Sequence, residues 1–119
     1  VYSFVRYDPR FYGSDSPHRA ELMLRRSCKV LAHEAGHMFG MEHCIYFRCV
    51  MNGWNHMDET DASPVNLCPV DLRKLYASNN LDLVERYAHL AQFYRSVGFT
   101  DEAMWTEKQL HQVAALPAK

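Results

Sequence analysis

The sequence predicts an α+β protein in which one N-terminal strand precedes a series of helices. Residues 1–7, VYSFVRY, alternate in a β-type pattern and are rich in aromatic and β-branched side chains. Farther along, residues 81–97 carry apolar side chains at steps of three and four, the spacing of a helix with one buried face. With 119 residues, of which 48% are hydrophobic, the chain is long enough to form a compact core.

A long helix is predicted after the strand. Residues 8–17, DPRFYGSDSP, have turn composition, and Ser16 followed by Pro17 is a favourable helix start, with Ser as N-cap and Pro at the first helical position. No proline interrupts the chain from there to Phe39, and Gly40 provides a natural stop. The predicted helix has about 23 residues and is roughly 34 Å long.

The rest of the chain is predicted to contain one irregular segment and three more helices. Residues 41–67 lack a periodic pattern, and an irregular segment of this length is usually functional or held by something other than a core. Pro69 begins a short helix, and the two helices after it are predicted to form a hairpin. We therefore predict a core domain over residues 1–78 and a helical hairpin over residues 79–119 that packs on it.

The composition argues against several classes of function. The net charge is −1 and the basic residues are scattered, so we expect neither nucleic acid nor a membrane surface as a partner. No apolar run approaches the length of a membrane span and no signal peptide opens the chain, so we expect a cytoplasmic or nuclear protein. Because Val1 begins a predicted strand, we expect the chain to be an internal piece of a larger protein.

The stretch HEAGHMFGMEH predicts a zinc site. His33 and His37 are four residues apart on the predicted helix, so both imidazoles project from one face. Glu34 lies about 100° round the helix, close enough to reach a metal-bound water without taking a coordination position. Gly40 can adopt positive φ where the helix ends, and His43 then arrives as the third ligand. Three neutral imidazoles leave one tetrahedral position open, as in catalytic zinc sites.

This pattern, HExxHxxGxxH, resembles the extended zinc motif of the metzincin metallopeptidases. Metzincins also carry a methionine in a turn beneath the zinc, and Met51 follows soon after His43. The short spacing resembles the archaemetzincins, whose motif continues past the third histidine as Cys, four residues, Cys, one residue, Met, and later CxxC. The corresponding residues here are Cys44, Cys49, Met51 and Cys68. The resemblance covers roughly residues 1–77.

The resemblance implies a zinc-dependent peptidase. Zinc held by the three histidines would lower the pKa of its water and polarise the scissile carbonyl, with Glu34 as the general base. The implied fold is zincin-like, with a twisted sheet above the zinc helix, and most of that sheet is expected to precede Val1. The implied substrates are peptides, with an aminopeptidase-like preference. The alternative is a non-catalytic zinc module that binds a partner through its C-terminal helices, although the retained Glu34 argues against it.

A second metal site is predicted at Cys44, Cys49 and Cys68. Their interleaving with histidines favours metal ligands, while a disulfide from Cys44 to Cys49 or Cys68 in a secreted protein is the competing hypothesis. A closed zinc site would explain how the segment from residue 44 to 68 is ordered with little core of its own.

The fourth ligand of this second site is in question. The family pattern has a cysteine three residues after Cys68, where this chain has Asp71. Asp71 either completes a site of three thiolates and one carboxylate, or it is a helix-start carboxylate near the positive end of the helix dipole. We favour the second interpretation, because Asp at such a position needs no metal; the second zinc is then weak, water-completed or lost. His56 and Cys28 are candidate substitute ligands.

Overall fold

The computed structural model describes residues 5–13 and 17–117, and throughout these ranges the regular structure is helical. Within them there is no strand, so the predicted α+β class and the zincin-like sheet implied by the resemblance are wrong, and the described chain is all-α. In this described part of the chain, two short 3-10 turns precede five α-helices. The α-helices are α1 (Arg19–Met38), α2 (Met57–Ala62), α3 (Pro69–Asn79), α4 (Leu83–Ser96) and α5 (Thr100–Ala114).

The segment predicted as a strand forms 3-10 turns where it is described. Residues 1–4 lie outside the described part, Val5–Tyr7 form one turn and Pro9–Tyr12 form a second. A strand needs a partner strand for its N–H and C=O groups. Here the Asp8 N–H bonds the Val5 carbonyl at 3.2 Å, and the Asp8 carboxylate accepts from the Arg10 N–H at 3.0 Å. Hydrogen bonds within the segment therefore take the place of the bonds that a paired strand would provide.

Helix α1 presents an unusually polar buried face. It begins at Arg19 with His18 at the N-cap position, so the prediction of Pro17 as the first helical residue is wrong, while the predicted cap Ser16 lies outside the described residues. The helix ends before Gly40, which has a φ of 84° that glycine adopts without penalty. The Met41 N–H returns to the Gly36 carbonyl at 3.1 Å. The buried residues of the helix are Arg26, Lys29, His33 and Gly36. Their spacing of three and four places them on one face, which therefore carries hydrogen-bonding groups instead of aliphatic side chains.

Helix α2 lies inside the segment that was predicted to be irregular, and α1 holds its C-terminal end. Arg26 makes two hydrogen bonds to the Asp61 carboxylate, at 2.9 and 2.7 Å. The buried Lys29 ammonium donates to the carbonyls of Thr60 and Asp61 at 3.2 and 3.1 Å, and burial lowers the pKa of this lysine. Cations at a helix C-terminus donate hydrogen bonds to its free carbonyls and interact favourably with the negative end of the helix dipole. These polar contacts therefore hold the α2 part of the 41–67 segment against α1.

The chain divides into two compact units, residues 1–74 and residues 75–119. In the second unit α4 and α5 pack against each other as a helical hairpin, with Gly98 at a φ of 78° in the turn. A bidentate pair joins Arg95 to Glu107 at 2.8 Å for both hydrogen bonds. The buried residues here are Tyr87, Ala91, Tyr94, Phe99, Ala103 and Thr106. The predicted domain division after residue 78, and the packing of the hairpin on the core, stay predictions.

No helix in the described part of the chain has both the length and the apolar character that a membrane crossing requires.

Candidate metal centres

The three histidines of the motif converge at the C-terminal end of α1. The Nε2 atom of His33 lies 3.1 Å from Nε2 of His37 and 3.2 Å from Nε2 of His43. Two nitrogens bound to zinc at about 2.0–2.1 Å and a tetrahedral angle lie roughly 3.3 Å apart. Both distances from His33 are therefore those of neighbouring zinc ligands, and the ligand atoms of all three histidines lie within 4.8 Å of one another.

The outward nitrogens of two of these rings are fixed by backbone carbonyls. Nδ1 of His33 donates to the Val50 carbonyl at 2.7 Å, and Nδ1 of His37 donates to the Met41 carbonyl at 2.8 Å. A carbonyl only accepts, so in each neutral ring the proton is on Nδ1 and Nε2 carries a lone pair. Lone pairs that face each other at about 3 Å repel unless a cation or a proton lies between them. The donor set therefore fits a metal ion, and outer hydrogen bonds of this kind orient metal-binding histidines.

The histidine cluster is closed on one side and open on the other. His33 is buried, His37 is half-buried and His43 is exposed. Burial lowers the pKa of His33, and the two neighbouring imidazoles lower it further. Burial thus keeps the His33 ring in the neutral form that binds metal, while the side of the cluster at His43 is accessible to solvent.

Glu34 lies on α1 directly after the buried His33 and is itself half-buried. Among the described residues it forms no hydrogen bond or ion pair, so its carboxylate is available to a water or a substrate. Its negative charge acts to raise the pKa of the neighbouring His33.

Met51 fills the space beneath the histidine cluster. It is fully buried, and its thioether packs against Gly36, which lies on α1 between His33 and His37. A Cβ atom at Gly36 would overlap the Met51 sulfur. Met51 follows Val50, whose carbonyl binds His33, so this buried methionine supports both α1 and the segment that orients its first histidine.

The Gly36→Ala variant is expected to destabilise the folded chain by roughly 1–3 kcal/mol, because the new methyl group overpacks against Met51. In an open helix position the same change would stabilise by about 0.5–1 kcal/mol, so the sign of the effect is diagnostic. Urea unfolding of the two proteins measures it. The double variant Gly36→Ala with Met51→Ala should lose less than the sum of the two single changes. Additive losses, or a more stable Gly36→Ala protein, would show that the contact is not tight.

Two neighbours of the cluster were not found from the sequence. The indole ring of Trp54 lies against the His33 imidazole, with ring centroids 4.4 Å apart and an interplanar angle of 35°, and its Nε1 donates to Ser63 Oγ at 2.8 Å. At Gly53 a Cβ atom would come within 3.0 Å of His43 Nδ1, closer than an ordinary van der Waals contact, so a side chain there would press on that ring. Neither residue belongs to a periodic or spaced pattern, and only the folded chain brings them to the site.

The cysteines of the second predicted site also come together, and Asp71 is among them. The Sγ atoms of Cys44 and Cys68 are 3.9 Å apart, and Cys49 Sγ lies 3.2 Å from Asp71 Oδ2. One donor atom from each of the four residues lies within 4.8 Å of the others. Donors bound to one tetrahedral zinc lie roughly 3.8 Å apart for two sulfurs and about 3.5 Å for sulfur and oxygen. The four atoms therefore fit a single metal ion.

The protonation of this cluster depends strongly on burial. Burial raises the pKa of the Cys49 thiol to about 12, and the adjacent Asp71 carboxylate raises it too. Cys49 therefore keeps its proton near neutral pH and donates a hydrogen bond to Asp71 Oδ2 at 3.2 Å. Asp71 is 2% exposed, and its near neighbour Lys74 reaches the other carboxylate oxygen at 3.5 Å. A carboxylate this deeply buried needs charge compensation, which a helix-start position on the surface would not require.

The remaining sulfur and histidine candidates lie apart from both clusters. Cys28 is half-buried on α1, and burial raises the pKa of its thiol. His56 is exposed and faces Glu59 at 3.5 Å. The candidate substitute ligands therefore belong to neither group of converging atoms. All four cysteines are free, including the neighbouring Cys44 and Cys68, so the structure contains neither of the disulfides that the competing hypothesis requires.

A groove of about 260 Å³ opens beside the two clusters. His43, Cys44 and Asp71 form part of its lining, so both clusters border it. Its rim carries the exposed side chains of Ile45 and Tyr46, which are 80% and 81% exposed. The groove thus presents apolar surface next to the accessible histidine.

Comparison with known proteins places the chain in a family. The profile of peptidase family M54 matches residues 4–77. Archaemetzincin-2 of Macaca fascicularis is 47% identical over 116 residues, covering 78% of this chain and 32% of the relative. Archaemetzincin-2 of Mus musculus is 34% identical over 140 residues, covering 98% and 39%. Archaemetzincin of Thermococcus kodakarensis is 43% identical over 84 residues, covering 71% and 43%.

The chain thus spans about a third to two fifths of the length of these curated relatives. No solved structure matches it. The match to the family profile extends over more than half of the chain and includes both clusters. The chain belongs to peptidase family M54, the archaemetzincins.

Proposed function

We propose that the chain carries the catalytic site of a zinc metallopeptidase of archaemetzincin type. One observation carries this proposal: the Nε2 atoms of His33, His37 and His43 converge at 3.1 and 3.2 Å with two of the opposite nitrogens held by carbonyls. Three imidazoles leave a fourth coordination position for water or substrate, as catalytic zinc sites do. The exposure of His43 supports substrate access from that side.

The proposed mechanism assigns proton transfer to Glu34. His33, His37 and His43 would hold a zinc ion, which would supply a Lewis acid for the scissile carbonyl and lower the pKa of water towards about 7. The Glu34 carboxylate takes the proton of the attacking water and later delivers it to the nitrogen of the leaving amine. Val50 and Met41 hold the rings of His33 and His37 through their carbonyls, so these ligands keep their orientation during the reaction.

The second cluster is proposed to hold a structural zinc bound by Cys44, Cys49, Cys68 and Asp71. The burial of Asp71 and its 3.2 Å contact with Cys49 support the carboxylate as the fourth ligand, in place of the family's cysteine. The sequence alone favours a helix-start carboxylate at this position, so this proposal differs from that interpretation. Four protein ligands leave no open position, so this metal would stabilise the fold and take no part in the reaction.

The proposed substrates are peptides with a free amino terminus and an apolar residue near the scissile bond. The name of the family supports peptide substrates, and the apolar rim of the groove beside His43 supports an apolar side chain. We propose a cytoplasmic or nuclear location, which the four free cysteines support because reducing compartments keep thiols unpaired.

Removal of zinc tests the proposal. Peptide hydrolysis by the protein should fall to the background rate after treatment with a zinc chelator and return when zinc is added back. Peptides with a free amino terminus should be cleaved faster than N-acetylated peptides of the same sequence. Hydrolysis that persists without zinc would contradict the proposal. A zinc-loaded protein that cleaves none of these peptides would favour the non-catalytic zinc module that binds partners through its C-terminal helices.

A further inference from the structure

We infer that Asn52 is a positioning residue that holds ligands of both clusters in place, and that metal binding at the two clusters is coupled through it. The inference rests on the proposed function, since it needs both clusters to bind metal. Asn52 follows Met51 directly and is half-buried between the segment that carries the cysteines and the end of the methionine turn.

The side chain of Asn52 makes three hydrogen bonds to the backbone. Its Oδ1 accepts from the Cys49 N–H at 3.0 Å, while its Nδ2 donates to the carbonyls of Cys44 and Phe47 at 2.9 and 2.8 Å. A backbone N–H only donates and a carbonyl only accepts, so all three bonds require the same orientation of the amide. A carboxylate of the same shape could make the first bond but neither of the other two.

One route from Asn52 to the histidine cluster runs through Cys44. Cys44 is a proposed thiolate ligand and directly follows His43, the exposed histidine. Asn52 binds the Cys44 carbonyl, and the Cys44 N–H donates to the Met51 carbonyl at 2.9 Å. Both backbone groups of Cys44 are thus held by consecutive residues. Cys44 is itself a ligand of the second cluster and adjoins His43, a ligand of the first. Holding the backbone of Cys44 therefore holds a ligand of each cluster.

A second route from Asn52 to the histidine cluster runs through Cys49. Asn52 binds the Cys49 N–H with its side chain and donates its own N–H to the Cys49 carbonyl at 3.0 Å. The next residue, Val50, accepts the hydrogen bond from His33 Nδ1. A shift of Cys49 would therefore move the carbonyl that orients the buried histidine. Because Asn52 links ligands of one cluster to the supports of the other, ordering of either cluster by metal favours the bound geometry of the second.

The test titrates the metal-free protein with Co²⁺, whose thiolate charge-transfer absorption reports the cysteine cluster alone. The Asn52→Asp variant has the same shape but loses both donated bonds. We expect Co²⁺ to bind its cysteine cluster about 10–100-fold more weakly, the usual effect of losing a partner of a metal ligand. At saturation its charge-transfer band should be shifted. A residue that only stabilised the fold would leave the band of the saturated protein unchanged.

The Asn79→Asp variant is the matched control, because Asn79 is exposed at the end of α3 and, among the described residues, its side chain bonds Leu75 and Ser78 of its own helix. It should bind Co²⁺ as the wild type does. Coupling between the clusters is measured by comparing Cys49→Ala with the wild type. The histidine cluster of Cys49→Ala should bind Co²⁺ more weakly than that of the wild type whose cysteine cluster is filled. Asn52→Asp with wild-type affinity and spectrum, or equal losses in both Asp variants, would overturn the inference. Absence of the charge-transfer band from the wild type would instead contradict the proposed second site.

Discussion

The Glu34→Gln variant is expected to lose peptide hydrolysis by at least about 100-fold while it binds zinc as the wild type does. Gln has the shape of Glu but cannot accept the proton of the attacking water near neutral pH. The three histidines and their carbonyl partners are unchanged by the substitution, so the metal affinity should stay the same. Hydrolysis rates and zinc content of the same preparation together measure the effect.

The Glu21→Gln variant provides the control for this experiment. Glu21 lies in the first turn of α1, where it pairs with Arg25 on the surface, so the same change of charge on the same helix should leave hydrolysis unaffected. Unchanged turnover in zinc-loaded Glu34→Gln would remove this residue as the base. Another proton acceptor near the cluster would then have to be sought.

The Asp71→Ala variant is expected to lose most of the stabilisation that the second zinc gives to the fold. With free zinc at about 1,000 times its dissociation constant, one site stabilises the folded state by about 4 kcal/mol. For a domain of this size such a loss corresponds to roughly 15–30 °C in Tm. Thermal unfolding with zinc and with a chelator measures the zinc-dependent difference. In Asp71→Cys this difference should be at least as large as in the wild type, because thiolate is the softer zinc donor.

The Asp101→Ala variant separates the two interpretations of Asp71. Asp101 is an exposed acid in the first turn of α5, where its charge contributes only the helix-dipole effect of about 0.3–1 kcal/mol. If Asp71 is a ligand, Asp71→Ala should lower the free energy of unfolding several times more than Asp101→Ala does. This larger loss should occur only in the presence of zinc. Equal losses in the two variants, the same with and without zinc, would establish Asp71 as a helix-start carboxylate.

The convergence of the metal-site residues followed from local geometry, which is why the sequence could predict it. His33 and His37 lie one turn apart on any helix, and a glycine with positive φ at position 40 brings His43 back towards them. The three cysteines meet only through long-range contacts, which local geometry does not predict. Their spacing matches the archaemetzincin motif, and that resemblance predicted a shared site. The same motif led to the family that the profile match confirmed.

The fold class could not be predicted correctly, because a single strand-like stretch says nothing about a partner strand. The aromatic and β-branched residues before Tyr7 fit a strand, yet without a neighbouring ladder the described part of that stretch closes into 3-10 turns. Helix α2 was missed for a related reason, since its six residues depend on Arg26 and Lys29 at its end. Trp54 and Asn52 act through contacts that no periodicity encodes.

The most direct test of two metal sites with different roles is a crystal structure with diffraction data at the zinc absorption edge. We expect two anomalous peaks in each chain, one between His33, His37 and His43 and the other between the three cysteines and Asp71. The first metal should have an open or water-filled position and the second should have none. A map without a peak at the histidines, or with a second peak to which Asp71 contributes no ligand, would contradict this account.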